Sequence, residues 1–130
     1  MPSMPIVSMY APFFAILFVI LSVRTIRLRR KLRVAVGDQG NLEMLRAMRV
    51  HANFAEYVPL SLMLIYFVEI NNGWSWMVHG LCILLVAGRL SHAYGVSQVR
   101  ENFRFRVSGM MMTFSVLILS SIFLLIRPFL

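Results

Sequence analysis

Long stretches without a charged residue recur along the chain. A membrane-spanning helix needs about 20 predominantly apolar residues, and three stretches reach that length or nearly so: 6–23, 71–88 and 107–126. The stretch 57–68 is shorter, but a continuous helix over 41–71 with a polar entry outreaches a hydrocarbon core of about 30 Å at about 1.5 Å per residue. The pattern predicts an all-α membrane protein, a bundle of four transmembrane helices forming one domain over residues 1–130.

Local signals indicate where these helices begin and end. We expect them over about 5–23, 41–71, 74–95 and 107–126. Asn41 is a favourable N-cap, and Glu43 lies in the first turn, where the helix dipole favours an acid. Pro59 falls inside the second helix, which a membrane bundle tolerates, usually with a kink. Trp74 marks a membrane interface at the start of the third helix.

Basic residues are concentrated beside the predicted spans. Six lie in the segment 24–33, and a second group lies in 100–106. Although the net charge is +8, this distribution is typical of juxtamembrane segments that contact lipid headgroups, and argues against nucleic-acid binding. The positive-inside rule predicts that both segments are cytoplasmic and both termini are not. The basic stop after residue 23 predicts a retained span rather than a cleaved signal peptide.

The composition agrees with a membrane environment. The chain is 59% hydrophobic and 14% charged, whereas soluble domains have roughly half and a quarter. Gly80, Ala87 and Ser91 lie on one face of the third helix and predict a close helix contact or an oligomer interface.

Polar side chains inside the predicted second helix share one face. At about 100° per residue, they form a stripe less than a quarter turn wide: Arg46, Arg49, Asn53 and Glu56. Arg89 and His92 share a face of the third helix near the same membrane boundary. Polar residues within a span are costly and are therefore functional candidates.

These groups have a structural and a functional interpretation. Glu56 could neutralise Arg49 or Arg89 between helices and so fix the bundle. However, the cations outnumber the acid, which indicates an anionic ligand, and the planar guanidinium of arginine suits a carboxylate. We find no cluster with the spacing of a metal site.

Three segments resemble the MAPEG family, the membrane-associated proteins of eicosanoid and glutathione metabolism. They are RVHANFAEYVPLSLMLIYFVE (49–69), AGRLSHAYG (87–95) and FRFRVSGM (103–110). The resemblance covers essentially the whole chain and is nearest to the small bacterial inner-membrane members. It implies a homotrimer of four-helix protomers, with glutathione as cosubstrate between neighbouring subunits in the cytoplasmic half of the membrane.

The resemblance also implies roles for individual residues. Those matching the glutathione site are Arg49, Asn53, Glu56, Arg89, His92 and Tyr94. An arginine at the start of the fourth helix stabilises the thiolate in catalytic members; Arg106 is the candidate and Arg104 the second choice. Ala52 replaces an arginine of some members, and Val107 replaces the serine of the prostaglandin E synthases. These departures leave the specific chemistry open.

Two functions are consistent with these features. The first is a glutathione transferase or peroxidase acting on lipophilic electrophiles or hydroperoxides that enter from the bilayer. The second is a non-catalytic membrane protein that binds a lipid or an anionic metabolite, because the five-lipoxygenase-activating branch shows that this fold can lose catalysis. The complete stripe and the helix-four arginine favour binding of a thiol peptide and, less strongly, turnover. A transporter is disfavoured because the chain shows no repeated halves.

Overall fold

The computed structural model describes residues 4–129. These residues form four α-helices and a terminal 3-10 turn: α1 (Ile6–Leu32), α2 (Leu42–Ile70), α3 (Ser75–Ser97), α4 (Phe103–Ile126) and the turn Arg127–Phe129. All four helices are long and apolar enough to cross a membrane. The predicted all-α architecture with four spans is therefore confirmed. Residues 1–3 and 130 of the predicted domain lie outside the described residues.

The first helix extends well beyond its predicted end at residue 23. The basic segment continues α1 as far as Leu32, and Arg33, with a left-handed φ of 55°, ends the helix. The predicted helix end at residue 23 was wrong because the first charge marks the end of the apolar span, not the end of the helix. Arginine and lysine are good helix formers, and cations in the last turn interact favourably with the helix dipole.

The ends of α2 are held by two different contacts. Asn41 Oδ1 accepts a hydrogen bond from the backbone N–H of Met44 at 2.9 Å, which confirms the predicted N-cap. At the other end, the Glu69 carboxylate accepts from the backbone N–H groups of Ile6 and Val7, the latter at 3.0 Å. A carboxylate at this position satisfies free N–H groups and complements the dipole of α1. No pattern in the sequence indicated this role of Glu69.

Helices α3 and α4 cross with their backbones in contact. A Cβ atom added to Gly109 would lie 2.6 Å from the carbonyl oxygen of Gly88 and 2.6 Å from the backbone nitrogen of His92. The crossing therefore leaves no room for a Cβ atom at position 109, and it requires glycine there.

Within the described chain, the predicted small-residue face of α3 meets α4 at Ser91, whereas Gly80 and Ala87 are exposed, and an oligomer interface at these two positions stays a prediction. A Cβ added to Gly80 meets nothing within 4 Å, and Ala87 is exposed. Ser91 does contact α4, since its hydroxyl donates to the carbonyl of Phe105 at 2.8 Å. Gly88 replaces Gly80 at the contact because eight residues along a helix turn the side chain by about 80°.

Candidate functional site

A fully buried arginine lies where α2, α3 and α4 meet. Arg89 is 1% exposed. Its Nη2 donates to Asn53 Oδ1 at 2.6 Å and to His92 Nδ1 at 3.2 Å, and Nη1 donates to Thr113 Oγ1 at 3.4 Å. The guanidinium also lies 6.0 Å from the ring centroid of Phe54, within the range of a cation–π contact. The structure thus brings together Asn53, Arg89 and His92 from two different helices.

The charge of Arg89 has no counter-ion among the described residues. Both ion pairs found in residues 4–129 involve other arginines, and Arg89 Nε has no hydrogen-bond partner there. A buried cation balanced only by neutral acceptors is costly. The site therefore carries excess positive charge, as the sequence predicted, but its source is Arg89 in the interior.

The contacts of Arg89 also determine what its neighbours offer a ligand. A guanidinium can only donate, so His92 Nδ1 is an acceptor and the proton of its neutral ring is on Nε2. Asn53 Oδ1 is likewise engaged, which leaves the Nδ2 hydrogens of that amide to donate to a ligand carbonyl or carboxylate.

A second polar cluster lies between α3 and α4. Glu101 is the acid at its centre, with a side chain that is 4% exposed. One oxygen is 2.9 Å from Arg46 Nη1, and the other is 3.7 Å from Arg106 Nη1. Arg46 also donates to the carbonyl of Val96 at 3.1 Å. Sequence reasoning missed Glu101; the available signal was a single acid within an otherwise basic connection.

The remaining predicted residues lie on the surface of the chain. Arg49, Glu56 and Tyr94 are exposed, and Tyr94 packs edge-on against Phe105 with ring centroids 5.0 Å apart. Arg104 is also exposed. The structural interpretation in which Glu56 neutralises Arg49 or Arg89 is wrong, because neither ion pair occurs in the part of the chain that the structure describes.

Arg49, Asn53 and Glu56 form a strip along α2 that carries both a positive and a negative charge. The buried cation Arg89 lies behind this strip. Arg49 and Glu56 lie four residues before and three residues after Asn53, so each is one helical turn from it. Such a strip offers a cation, an amide donor and an anion in sequence along about two turns of helix. It suits a ligand that carries both carboxylate and ammonium groups.

An apolar cleft of about 330 Å³ opens between α1 and α2. Phe14, Phe18 and Phe54 contribute to its walls. The ring of Phe54 therefore separates this cleft from Arg89, which approaches the same ring. The arrangement provides an apolar chamber beside a cationic site.

Comparison with known proteins agrees with these features. The family model described as "MAPEG family" matches residues 7–126. The chain is 43% identical over 112 residues to the inner membrane protein YecN of Escherichia coli K12. The aligned segment covers 86% of this chain and 84% of YecN. YecN of Escherichia coli O6:H1 matches with the same identity and coverage.

Proposed function

The chain belongs to the MAPEG family of membrane proteins, which includes glutathione transferases, and we propose that it binds glutathione and transfers or oxidises its thiol. The acceptor is a lipophilic electrophile or hydroperoxide that enters from the bilayer. The observation that carries this proposal is the strip formed by the exposed Arg49 and Glu56 and the half-buried Asn53, with Arg89, which has no counter-ion among residues 4–129, behind it.

The charges of glutathione match this strip. The tripeptide has two carboxylates and one ammonium group. Arg49 and the field of Arg89 attract the carboxylates, Asn53 donates from Nδ2, and Glu56 accepts from the ammonium group. Since Arg49 and Glu56 are exposed on the single chain, a second copy is needed to exclude water from the ligand. This need supports a homotrimer with glutathione between neighbouring subunits.

Arg106 is the residue that we place beside the thiol. It approaches Glu101 at 3.7 Å, whereas Arg46 approaches the same carboxylate at 2.9 Å. The looser pairing leaves Arg106 able to attract a thiolate, because a nearby cation stabilises the charged sulfur. Among residues 4–129, Arg104 forms no ion pair with Glu101, so Arg106 is the helix-four arginine that lies within this polar cluster.

The reaction needs no covalent nucleophile from the protein. The thiolate attacks the electrophilic carbon, a C–S bond forms, and the leaving group departs with the bonding electrons. With a hydroperoxide, two glutathiones are oxidised to the disulfide while the substrate is reduced to the alcohol and water. The apolar cleft bounded by Phe54 is where the lipophilic partner would lie.

Glu56→Gln tests the binding mode. The substitution should weaken glutathione by about 1.5–3 kcal/mol, the scale of a hydrogen bond to a charged group, as measured by calorimetric titration of the detergent-purified protein. Glu43→Gln is the matched control, since Glu43 is also an exposed acid on α2 but lies outside the strip. If wild type and Glu56→Gln bound glutathione with equal affinity, Glu56 would not contact the ammonium group of the ligand.

Arg106→Ala tests the chemistry. Glutathione should still bind through α2, but the thiolate absorbance of the complex near neutral pH should fall several-fold, because the cation that stabilises the charged sulfur is absent. Conjugation of an activated halobenzene should fall in parallel. Arg104→Ala is the control and should retain both signals; the reverse ranking would transfer the role to Arg104.

A non-catalytic lipid- or metabolite-binding protein is the second candidate, favoured by the apolar cleft between α1 and α2. Wild-type protein that binds glutathione without forming thiolate or turning over an electrophile would establish this alternative.

The same proposal includes location and topology. The inner-membrane relatives support a multi-pass protein of the bacterial inner membrane, and the basic ends of α1 and α4 support cytoplasmic placement of those ends. Both termini are then non-cytoplasmic. An alkaline phosphatase fusion at the C-terminus should be active and a green fluorescent protein fusion dark; the opposite pair of signals would overturn this topology.

A further inference from the structure

A second cleft, of about 540 Å³, lies along the C-terminal half of α1. Three of its lining residues are cations, Arg24, Arg27 and Lys31, and a further group is apolar: Val19, Ile20 and Val23. None of its lining residues belongs to the candidate functional site. Val19, Ile20 and Val23 precede Arg24, the first charged residue of α1, and Leu28 lies among the cations, so the cleft crosses the boundary between the apolar span and the basic segment.

We infer that this cleft binds an anionic glycerophospholipid. Its phosphate lies among Arg24, Arg27 and Lys31, and an acyl chain lies along Ile20 and Val23. The inference is independent of the glutathione proposal, since it uses different residues and a different ligand.

Charge complementarity supports the headgroup position. Three cations face one acid, Glu43, within the cleft. Arg24 is held in place because its Nη1 donates to Ser97 Oγ at 2.7 Å, and within residues 4–129 its other N–H groups have no acceptor that would compete with a phosphate oxygen. Since α1 is helical as far as Leu32, these cations occupy defined positions instead of varying with a loop.

The apolar wall indicates a lipid rather than a soluble phosphate. Val19 and Ile20 are 57% and 56% exposed, and a free phosphate would contact neither. A phospholipid matches the order of the lining, because its charged group and hydrocarbon chain are arranged along the bilayer normal in the same sequence as the cationic and apolar residues of α1.

A neighbouring basic cleft provides the comparison. It is lined by Ile26, Arg29, Arg30, Arg33, Val34 and Ala35. All of these residues follow Arg24, so this cleft has no wall within the apolar span. One of its cations is already engaged, since Arg29 Nη1 donates to the carbonyl of Gly37 at 2.9 Å. It therefore has basic charge but no apolar wall that continues into the membrane-spanning part of α1.

The test is a titration of phosphatidylglycerol into the delipidated full-length protein, followed by native mass spectrometry. The double variant Arg27→Gln/Lys31→Gln should bind about thirty-fold more weakly than wild type, given the effect of each cation on attraction to anionic lipid. Arg30→Gln/Arg33→Gln removes the same charge from exposed positions of the other cleft and should bind nearly as wild type. Melting curves of both variants should match that of wild type, since all four positions are exposed.

Three results would each overturn the inference. Equal losses in the two double variants would show diffuse electrostatic attraction. If the wild-type protein bound phosphatidylcholine as tightly as phosphatidylglycerol, the net charge of the headgroup would have no role in binding. Displacement of the lipid by millimolar inorganic phosphate would indicate a site for a free anion. Addition of glutathione should not displace the lipid, whatever the outcome at the thiol site.

Discussion

Alanine at position 109 should force α3 and α4 apart and destabilise the protein severely. The new Cβ would lie 2.6 Å from the carbonyl oxygen of Gly88 and 2.6 Å from the nitrogen of His92. Both are backbone atoms, so no side chain can rotate away and the helices themselves must move. We expect a loss of at least about 3 kcal/mol, the upper part of the range for overpacking, measured by thermal unfolding in a mild detergent.

Two glycines of α3, Gly88 and Gly80, provide matched controls for this prediction. A Cβ on Gly88 would approach Gly109 O and Met112 Cβ at 3.0 Å each, whereas a Cβ on Gly80 meets nothing within 4 Å. Gly88→Ala should therefore be intermediate, and Gly80→Ala neutral or slightly stabilising because alanine is the better helix former. A Gly109→Ala protein that unfolds at the same temperature as wild type would show that α3 and α4 do not cross at this distance.

Asn53→Ala should be nearly as damaging, because it removes the closest acceptor of a buried charge. Arg89 is 1% exposed and donates to Asn53 Oδ1 at 2.6 Å. Its remaining oxygen and nitrogen acceptors, His92 and Thr113, lie at 3.2 and 3.4 Å. We expect a loss of about 3 kcal/mol in the free energy of unfolding, since a buried charged group left poorly satisfied retains most of its desolvation cost.

A second substitution distinguishes this mechanism from loss of packing. Arg89→Met replaces the guanidinium with an apolar chain, so Asn53→Ala combined with Arg89→Met should be more stable than Asn53→Ala alone. Asn71→Ala is the control, since Asn71 follows α2 directly, is exposed, and donates from its side chain to the carbonyl of Phe67. This substitution should cost less than about 1 kcal/mol. Additive losses in the double variant would contradict a buried charge that depends on Asn53.

The stripe on α2 shows where sequence reasoning stops. Its four residues share a face by helical periodicity, but the structure divides them among three environments. Arg46 pairs with Glu101, Asn53 binds Arg89, and the other two are exposed. The stripe lies at the edge of the contact between α2 and α3, where a small rotation about the helix axis separates a buried position from an exposed one. Helical periodicity defines a face only to within a few tens of degrees. That precision is too coarse to decide which residues of the stripe are buried and which are exposed.

The number of spans, the N-cap at Asn41 and the family membership were all determined by the sequence. Each rests on local information: an apolar run of span length has few alternatives in lipid because the backbone must satisfy its own hydrogen bonds, and a cap needs only the next few residues. The tertiary structure alone decided that Glu69 binds the start of α1, that Glu101 serves Arg46 and Arg106, and that Gly88 meets Gly109. These contacts join residues far apart in the chain. The packing of all four helices together decides which faces of two helices are in contact and at which position along their axes.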